Sequence, residues 1–463
     1  MNFKDRLLRK FKDDYKFTFS IVIAVYNTEE YLDETIQSII SQSFDFKRVQ
    51  VILVDDGSTD TSGEICDKYV DRYPDNFICI HQENHGQSVA RNNAMQYAQG
   101  RYVNFLDSDD KLEENTLSEI YRYFKSWDGQ IDVITIPRFV FGRENGPMLF
   151  DDKYKDSRIV DIREEFDFPQ FSISAAFIKK EVLTEGFNPD IIISEDSLLL
   201  NKIILKRCRF GVVGSCRYLY RKREDEDSTI DTRKTRKEYF SPRIELYLKE
   251  LISASMELYG EVLKYIQSVM IMDLYWLFMQ NSEAGVLDEQ ETEEFYSQIS
   301  DVLQYIEDDI INGQYYRKSI KYRMLTLKYD NELEYEIEND YLMFDGDNFD
   351  RLANYGIFIS DVDISGEKLS VNCYYEFYPV EFALKMYVDG KERNMEPKSV
   401  EKTISLGKVI LNKYIYELAF DLDEFSEICF ERIMDSKSYD VKLRHNNVKQ
   451  DAIEITDYKI IAG

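Results

Sequence analysis

The sequence predicts a doubly wound, mainly parallel α/β domain, then a helical connector, then a C-terminal antiparallel β-sandwich. Three observations predict it. Apolar β-branched runs alternate with helical patterns over residues 17–125, acids and turn residues collect where those runs end, and a period-two alternation takes over after residue 345.

The first run, Phe17–Val25 (FTFSIVIAV), stops at Tyr26-Asn27-Thr28, and acids then open a helical pattern through Tyr31, Leu32, Ile36, Ile39 and Ile40. Residues 49–54 (VQVILV) repeat the design, ending in Asp55-Asp56-Gly57-Ser58-Thr59-Asp60 ahead of a helix through Ile65 and Tyr69. Turn and N-cap chemistry accounts for Gly57 to Asp60 without a ligand, but not for paired acids at a strand end. A third strand, Phe77–His81, leads through Asn84-His85-Gly86 into a helix over about residues 88–98, with Gly100 as its C-cap. Arg91 lies in the first turn of that helix, where a cation opposes the helix dipole, so an anionic partner is expected. The fourth strand, RYVNFLDSDD over 101–110, delivers Asp107, Asp109 and Asp110 into one turn before a helix through Leu117, Ile120, Tyr121 and Phe124. Alternate residues of an extended chain share a side, so Asp107 and Asp109 point together, and two oxygen ligands on one side suit a hard divalent cation. A solvated acidic turn is the simpler account of an isolated Asp-x-Asp. In doubly wound sheets, however, ligands collect at the carboxyl ends of strands, the edge that carries Tyr26, Asp55, Asp56 and Asp107 to Asp110.

With 463 residues the chain has room for two or three domains. Its 87 acidic residues against 58 basic ones, a net charge of −29, argue against nucleic acid as a partner. The 6 cysteines form no CxxC pair and the 3 histidines supply no zinc-type spacing, so reduced thiols in a cytoplasmic protein are expected. No secretory signal opens the chain, and the longest apolar run, 265–279, contains Gln267 and Asp273 and reads as a buried helix rather than a span. Near the N-terminus Phe3, Leu7, Leu8 and Phe11 share a helical face ringed by Lys4, Arg6, Arg9, Lys10 and Lys12. A helix packed on its own domain is the favoured reading there; peripheral contact with the inner face of the cell membrane is the other.

Four pieces in register resemble the family 2 glycosyltransferases, of the GT-A fold: YN after SIVIAV, VDDGSTD after VIL, HGQSVARNNAM, and FLDSDD after RYV. The resemblance covers about residues 17–230, and its most specific part ends near residue 125. It implies an inverting enzyme that moves a sugar from a nucleotide-diphosphate sugar, by preference a UDP-sugar, to a hydroxyl of a bacterial surface glycan such as a capsule or teichoic acid. The departing nucleoside diphosphate gathers negative charge, which Mn²⁺ or Mg²⁺ would neutralise. By resemblance Asp109 is the metal ligand and Asp107 lies near both ribose and metal. Asp56 with Tyr26 holds base and ribose beside Asp55, and Arg91 faces the donor's base or phosphates. An EF-hand reading of the same acidic turn fails, because Lys111 and Leu112 stand where that loop needs an oxygen ligand and glycine.

The acceptor hydroxyl needs a base. Past a strand candidate at 131–140, a less regular stretch runs through 172–177 to Ile191-Ile192-Ile193-Ser194-Glu195-Asp196 and the helical run LLLNKIIL. Ser194 can be read as an N-cap with acids in the first turn. The resemblance instead makes Asp196 the general base and Glu195 its neighbour. After a strand over 211–220, Arg221 and Arg223 stand where similar segments close over the pyrophosphate, with a solvated charged loop as the competing reading.

Residues 238–338 turn helical, with Ile244, Leu248, Leu251 and Ile252 on one face and Phe295, Ile299, Val302, Leu303 and Ile306 on another. Segments at 357–364, 369–377, 383–388 and 414–422 then alternate like strands, and Ser365-Gly366 and Asp389-Gly390 mark hairpins. The expected division is a catalytic domain over 1–237, a connector over 238–344 and a β-sandwich over 345–463. By fold-level analogy the last binds polymer or joins copies into a homo-oligomer. A strand just before Gly463 suggests a longer multidomain enzyme. The rival function is a non-catalytic nucleotide-sugar or glycan-binding protein that keeps the fold. Asp107, Asp109 and Asp196 together favour the enzyme, since a pure binder needs no base.

Overall fold

A computed structural model of the protein describes residues 15–148, 150–223, 237–279, 286–313, 316–330, 335–338, 341–344, 347–380, 382–406, 408–434, 436–445 and 453–462. The amphipathic stretch at 3–12 and the acidic segment after Arg223 lie outside the described residues. The chain divides into two compact units, Met1–Met272 and Asp273–Gly463.

The first unit opens with β1 (Phe17–Val25), α1 (Leu32–Ile40), β2 (Val49–Asp55), α2 (Ser62–Arg72), β3 (Phe77–His81), α3 (Gln87–Met95) and β4 (Gly100–Phe105). β1 and β2 are mostly apolar and buried almost throughout because both faces are covered, the signature of a parallel sheet between helix layers. Next come β5 (Lys111–Leu112), α4 (Thr116–Ser126), β6 (Val133–Thr135), β7 (Arg138–Gly142), β8 (Gly146–Pro147), β9 (Arg158–Asp161), β10 (Ala176–Lys179), α5 (Glu195–Arg207), β11 (Arg209–Val212) and β12 (Tyr218–Lys222). The main sheet has the order β3-β2-β1-β4-β10-β6-β11-β9. Its first four strands are parallel; β10 enters antiparallel between β4 and β6, and β9 closes the far edge antiparallel to β11. The sheet is therefore mixed beyond β4. The winding reverses between β1 and β4, so the loops after these two strands flank the switch point where such folds bind ligands.

A second sheet, β5-β12-β7-β8, forms beside the first. It corrects two expected strands. Residues 131–140 divide into β6 and β7 at Ile136-Pro137, where proline has no N–H to give a ladder and its carbonyl instead accepts from Tyr218 N at 3.0 Å. Residues 211–220 divide into β11 and β12, and between them a Cβ on Gly214 would lie 1.8 Å from the Tyr154 carbonyl oxygen, so the chain turns there against another backbone. Gly100 is likewise no helix cap. It begins β4, and a Cβ there would lie 2.4 Å from Phe19 C and Ser20 N, so glycine serves close strand pairing, while the helix before it ends at Met95. The helical faces predicted around Ile244 and Leu251 are buried as expected, within a run that passes from a π turn (Ile244–Lys249) into the helix Glu250–Tyr259.

In the second unit the helix Glu289–Leu303 buries Phe295, Ile299, Val302 and Leu303, as predicted, and starts at a capping box formed by Asp288 and Glu291. Helical structure ends earlier than the pattern suggested, because Tyr335–Glu338 is already a strand. The C-terminal region is β-rich and almost wholly antiparallel, with the strands Ile357–Ser365 and Lys368–Phe377 joined at Gly366. Lys368–Phe377 alternates strictly between outward and buried residues, the mark of a sheet with one wet face. Asp389 and Gly390 both take positive φ, as a two-residue hairpin turn requires. Arg432, nearly enclosed, donates from Nη1 to Tyr375 Oη at 2.6 Å and ties one β-sheet to another.

Candidate active site

Strand register sets the site. Val25 pairs with Asp55 and Val22 with Phe105, so Tyr26, Asp55-Asp56 and the turn after Phe105 meet at one edge. That turn is pinned from below by Leu106 N, which donates to Val22 O at 2.9 Å, and by the buried Thr35 hydroxyl of α1, which donates to Ser108 O at 2.9 Å.

Asp107 accepts from Arg91 Nη2 at 2.7 Å on Oδ1 and from Ser174 Oγ at 2.8 Å on Oδ2. Asp109 accepts from Arg223 Nε at 2.8 Å. Asp110 is no solvated member of the turn. It points inward, 1% exposed, and accepts from Tyr218 Oη and from Arg221 N, each at 2.6 Å, while α4 begins only at Thr116. It ties the acidic turn to β12.

Arg91 has the anionic partners its position called for, and both belong to this chain. Its guanidinium, 5% exposed, spans Asp107 and Glu195 Oε1, the latter at 3.1 Å from Nη1. Gln87 Nε2 also donates to Glu195 Oε1 at 2.6 Å. Glu195 and Asp196 open α5 behind Ser194, which occupies the N-cap position in left-handed backbone (φ 79°) without a side-chain cap bond. A non-glycine residue held there costs about 1–2 kcal/mol, so the turn that aims these acids is strained. Asp196 accepts from Ser197 N at 2.8 Å. Burial, then neighbouring charge, raises the pKa of Asp196, Asp109 and Asp110 above the ordinary carboxylate range, and burial with the adjacent Asp196 pushes Glu195 up to about 8. A carboxylate held high in this way is a better proton acceptor than a surface one.

Arg221 and Arg223 do converge on the site. Arg221 Nε donates to Asp109 O at 2.7 Å, its guanidinium lies over the rings of Tyr31 and Phe141, and it pairs with Glu34; Arg223 pairs with Asp109 and also lies over Tyr31. Just past β1, Tyr26 is about half exposed and presents its ring to solvent. Asp56 is buried and accepts from Gln82 Nε2 (2.6 Å), His85 N (3.0 Å) and Gly86 N (2.8 Å), so it shapes the loop ahead of α3. Asp55 accepts from Ser58 N at 3.0 Å and meets His81 Nδ1 at 2.8 Å. Gln87, Ser174, Tyr218 and Glu34 escaped the sequence reading. Each is an ordinary polar residue whose only distinction is where the fold puts it.

The acidic turn fits a divalent cation. Asp107 keeps about a third of its side chain exposed and Asp109 about a fifth, so both carboxylates can be reached beside their arginines. Two carboxylates with open positions suit Mg²⁺ or Mn²⁺, which fill their shells with water and substrate phosphates.

A mixed sheet whose switch point carries this Asp-x-Asp turn, with a buried acidic pair beside it, defines the GT-A fold class. The model of glycosyl transferase family 2 matches residues 20–187. Minor teichoic acid biosynthesis protein GgaB of Bacillus subtilis (strain 168) is 31% identical over 412 residues, 86% of this chain and 45% of GgaB, so the chain spans less than half the length of that relative. GgaA of the same organism is 26% identical over 447 residues, 93% of this chain and 97% of GgaA. The crystal structure of S. aureus TarS superposes with a TM-score of 0.56 at 16% identity, covering 96% of this chain and 85% of that one, a likeness of fold. Residues 20–187 form a glycosyl transferase family 2 domain.

Proposed function

We propose that the protein is an inverting glycosyltransferase that moves a sugar from a nucleotide-diphosphate sugar, a UDP-sugar by preference, to a hydroxyl of a bacterial cell-wall glycopolymer of the teichoic acid kind. One observation carries it: Arg91 joins Asp107, on the donor side, to Glu195, the immediate neighbour of Asp196. Asp196, raised by burial, takes the acceptor's proton as its oxygen attacks the anomeric carbon. One base and one displacement invert that carbon. Tyr26 offers its face to the nucleotide base, with Asp55 and Asp56 shaping the loops around base and ribose. Arg221 and Arg223 stabilise the charge of the departing diphosphate. Asp109, with Asp107, would hold Mn²⁺ or Mg²⁺, which supplies positive charge at the leaving phosphates when bound.

The family supports the reaction class, and the names of GgaB and GgaA support the acceptor class. A TarS structure determined with UDP-GlcNAc, 20% identical with a TM-score of 0.55, makes UDP-sugars the first donors to try. Among the described residues no helix is long and apolar enough to cross a membrane. The proposal places the enzyme in the cytoplasm or at the inner face of the cell membrane. It assigns catalysis to 1–237, connection to 238–344, and polymer binding or self-association to 345–463. The test is Asp196→Asn with UDP-sugars and Mn²⁺. Transfer should fall by roughly 10²–10⁴-fold with donor binding intact. Undiminished transfer removes Asp196 from the mechanism, and donor binding without transfer by the wild-type chain leaves only a binding protein.

A further inference from the structure

Cys79 and His81 lie two residues apart on β3, the edge strand of the main sheet, so their side chains share a face. Asp67 of α2 completes a group in which a carboxylate oxygen, Cys79 Sγ and His81 Nε2 all lie within 4.8 Å of one another. The spacing is that of ligands to one ion. His81 Nε2 is 3.0 Å from Asp67 Oδ1 and 3.5 Å from Cys79 Sγ. Around a tetrahedral zinc the usual bond lengths place N and O about 3.4 Å apart and N and S about 3.6 Å apart.

A second observation points the same way. Asp55 Oδ2 sits 2.8 Å from His81 Nδ1, on the opposite side of the ring. A carboxylate there fixes the tautomer and turns Nε2 toward its ligands, the arrangement that supports metal-bound histidines. Asp55 is nearly enclosed, whereas the Asp67 and His81 side chains are about half exposed or more, which leaves the group open to solvent for a fourth ligand. The Cys79 thiol lies beside that histidine and also meets the buried Cys66 thiol. The thiol selects a soft or borderline ion, in contrast to the all-oxygen turn at Asp107 and Asp109.

We propose that Asp67, Cys79 and His81 form a binding site for a Zn²⁺-class ion, with water in the open position and Asp55 as the residue that orients His81. Binding releases the thiol proton and also the Nε2 proton of His81, whose pKa is raised to about 9 by hydrogen bonds to Asp55 and Asp67. Asp55 closes β2 and its other oxygen holds Ser58 N, so the ion would be joined to the donor edge of the sheet through one carboxylate.

Cobalt titration of the full chain tests this, with Zn²⁺ as competitor. Expected are thiolate-to-cobalt absorption and tetrahedral ligand-field bands that saturate at one equivalent and disappear when Zn²⁺ is added. The thiolate band should be absent in Cys79→Ser and retained in Asp109→Asn, which separates this site from the sugar-transfer site. Asp55→Asn should weaken cobalt binding roughly 10–100-fold. Asp67→Ala, on an exposed helix face, should weaken it without disturbing the core, which keeps the test decisive if Cys79→Ser fails to fold. No thiolate band in the wild-type chain, or a band and affinity unchanged by Cys79→Ser or Asp67→Ala, overturns the proposal and leaves a histidine hydrogen-bonded between two carboxylates.

Discussion

Two strand ends in this protein carry adjacent acids, and they are built to opposite purposes. At the end of β2, Asp56 is saturated by a side-chain amide and two backbone N–H groups, and Asp55 by a backbone N–H and a histidine. Beyond β4, Asp107 and Asp109 are held by guanidinium groups, Asp109 is raised by burial and by Asp107, and Asp110 by burial and by both. Local donors, the His81 imidazole among them, make a carboxylate into scaffolding. Arginines from elsewhere in the chain and crowded charge suit it instead to the proposed role of holding a cation or taking a proton.

Substitutions sharpen the contrast, and the largest expected effect is the loss of transfer in Asp196→Asn described above. Arg91→Met comes next. It leaves Asp107 and Glu195 facing each other without their shared cation, and breaking a buried pair from one side costs about 3–5 kcal/mol, readable as a fall in urea midpoint. If stability holds, Arg91 is not the strut between the two acids. At the other strand end Asp56→Ala should cost about 1–3 kcal/mol by orphaning the donors of 82–86, with added Mn²⁺ restoring nothing. A loss confined to metal-dependent turnover would place Asp56 with the reactive group instead.

The pH dependence is a smaller effect with a definite sign. Glu195 is raised in the folded chain, so the unfolded chain binds fewer protons between the ordinary glutamate range and about pH 8. Stability should therefore fall as pH rises through that window, and Glu195→Gln should flatten the slope in urea titrations at pH 5 and 8. An unchanged slope would mean that Arg91 and Gln87 hold Glu195 ionised. Least of all, Glu34→Gln should cost about 1 kcal/mol or less in thermal unfolding, since the Glu34 side chain is half exposed where it meets Lys111 and Arg221.

Much of the donor side was legible because its signals are local. Phe17–Val25 and Phe77–His81 were read to the residue, since an apolar run between turn residues is complete in itself. Asp107 and Asp109 stand beside the switch point, but the strand stops at Phe105 and both lie in a turn, closed by Asp110 N on Asp107 O at 3.2 Å, so the expected period-two alternation does not set their directions. The breaks at Pro137 and Gly214 were missed because each joins strands of two different sheets, and an unbroken apolar run does not announce a change of sheet.

By itself, then, the sequence determined the alternation of strands and helices, the acids at strand ends and the family to which they belong. Each follows from side-chain periodicity and turn chemistry over a few residues. Only the tertiary structure decided which acids are buried together with arginines and which are held by local donors. Arg91 meets Glu195 across 104 positions and Tyr218 meets Asp110 across 108, and a pKa depends on burial and charge at those distances in space. The same holds for Asp67, Cys79 and His81. Their spacing matches no zinc pattern along the chain, and a helix laid on an edge strand brings their ligand atoms together.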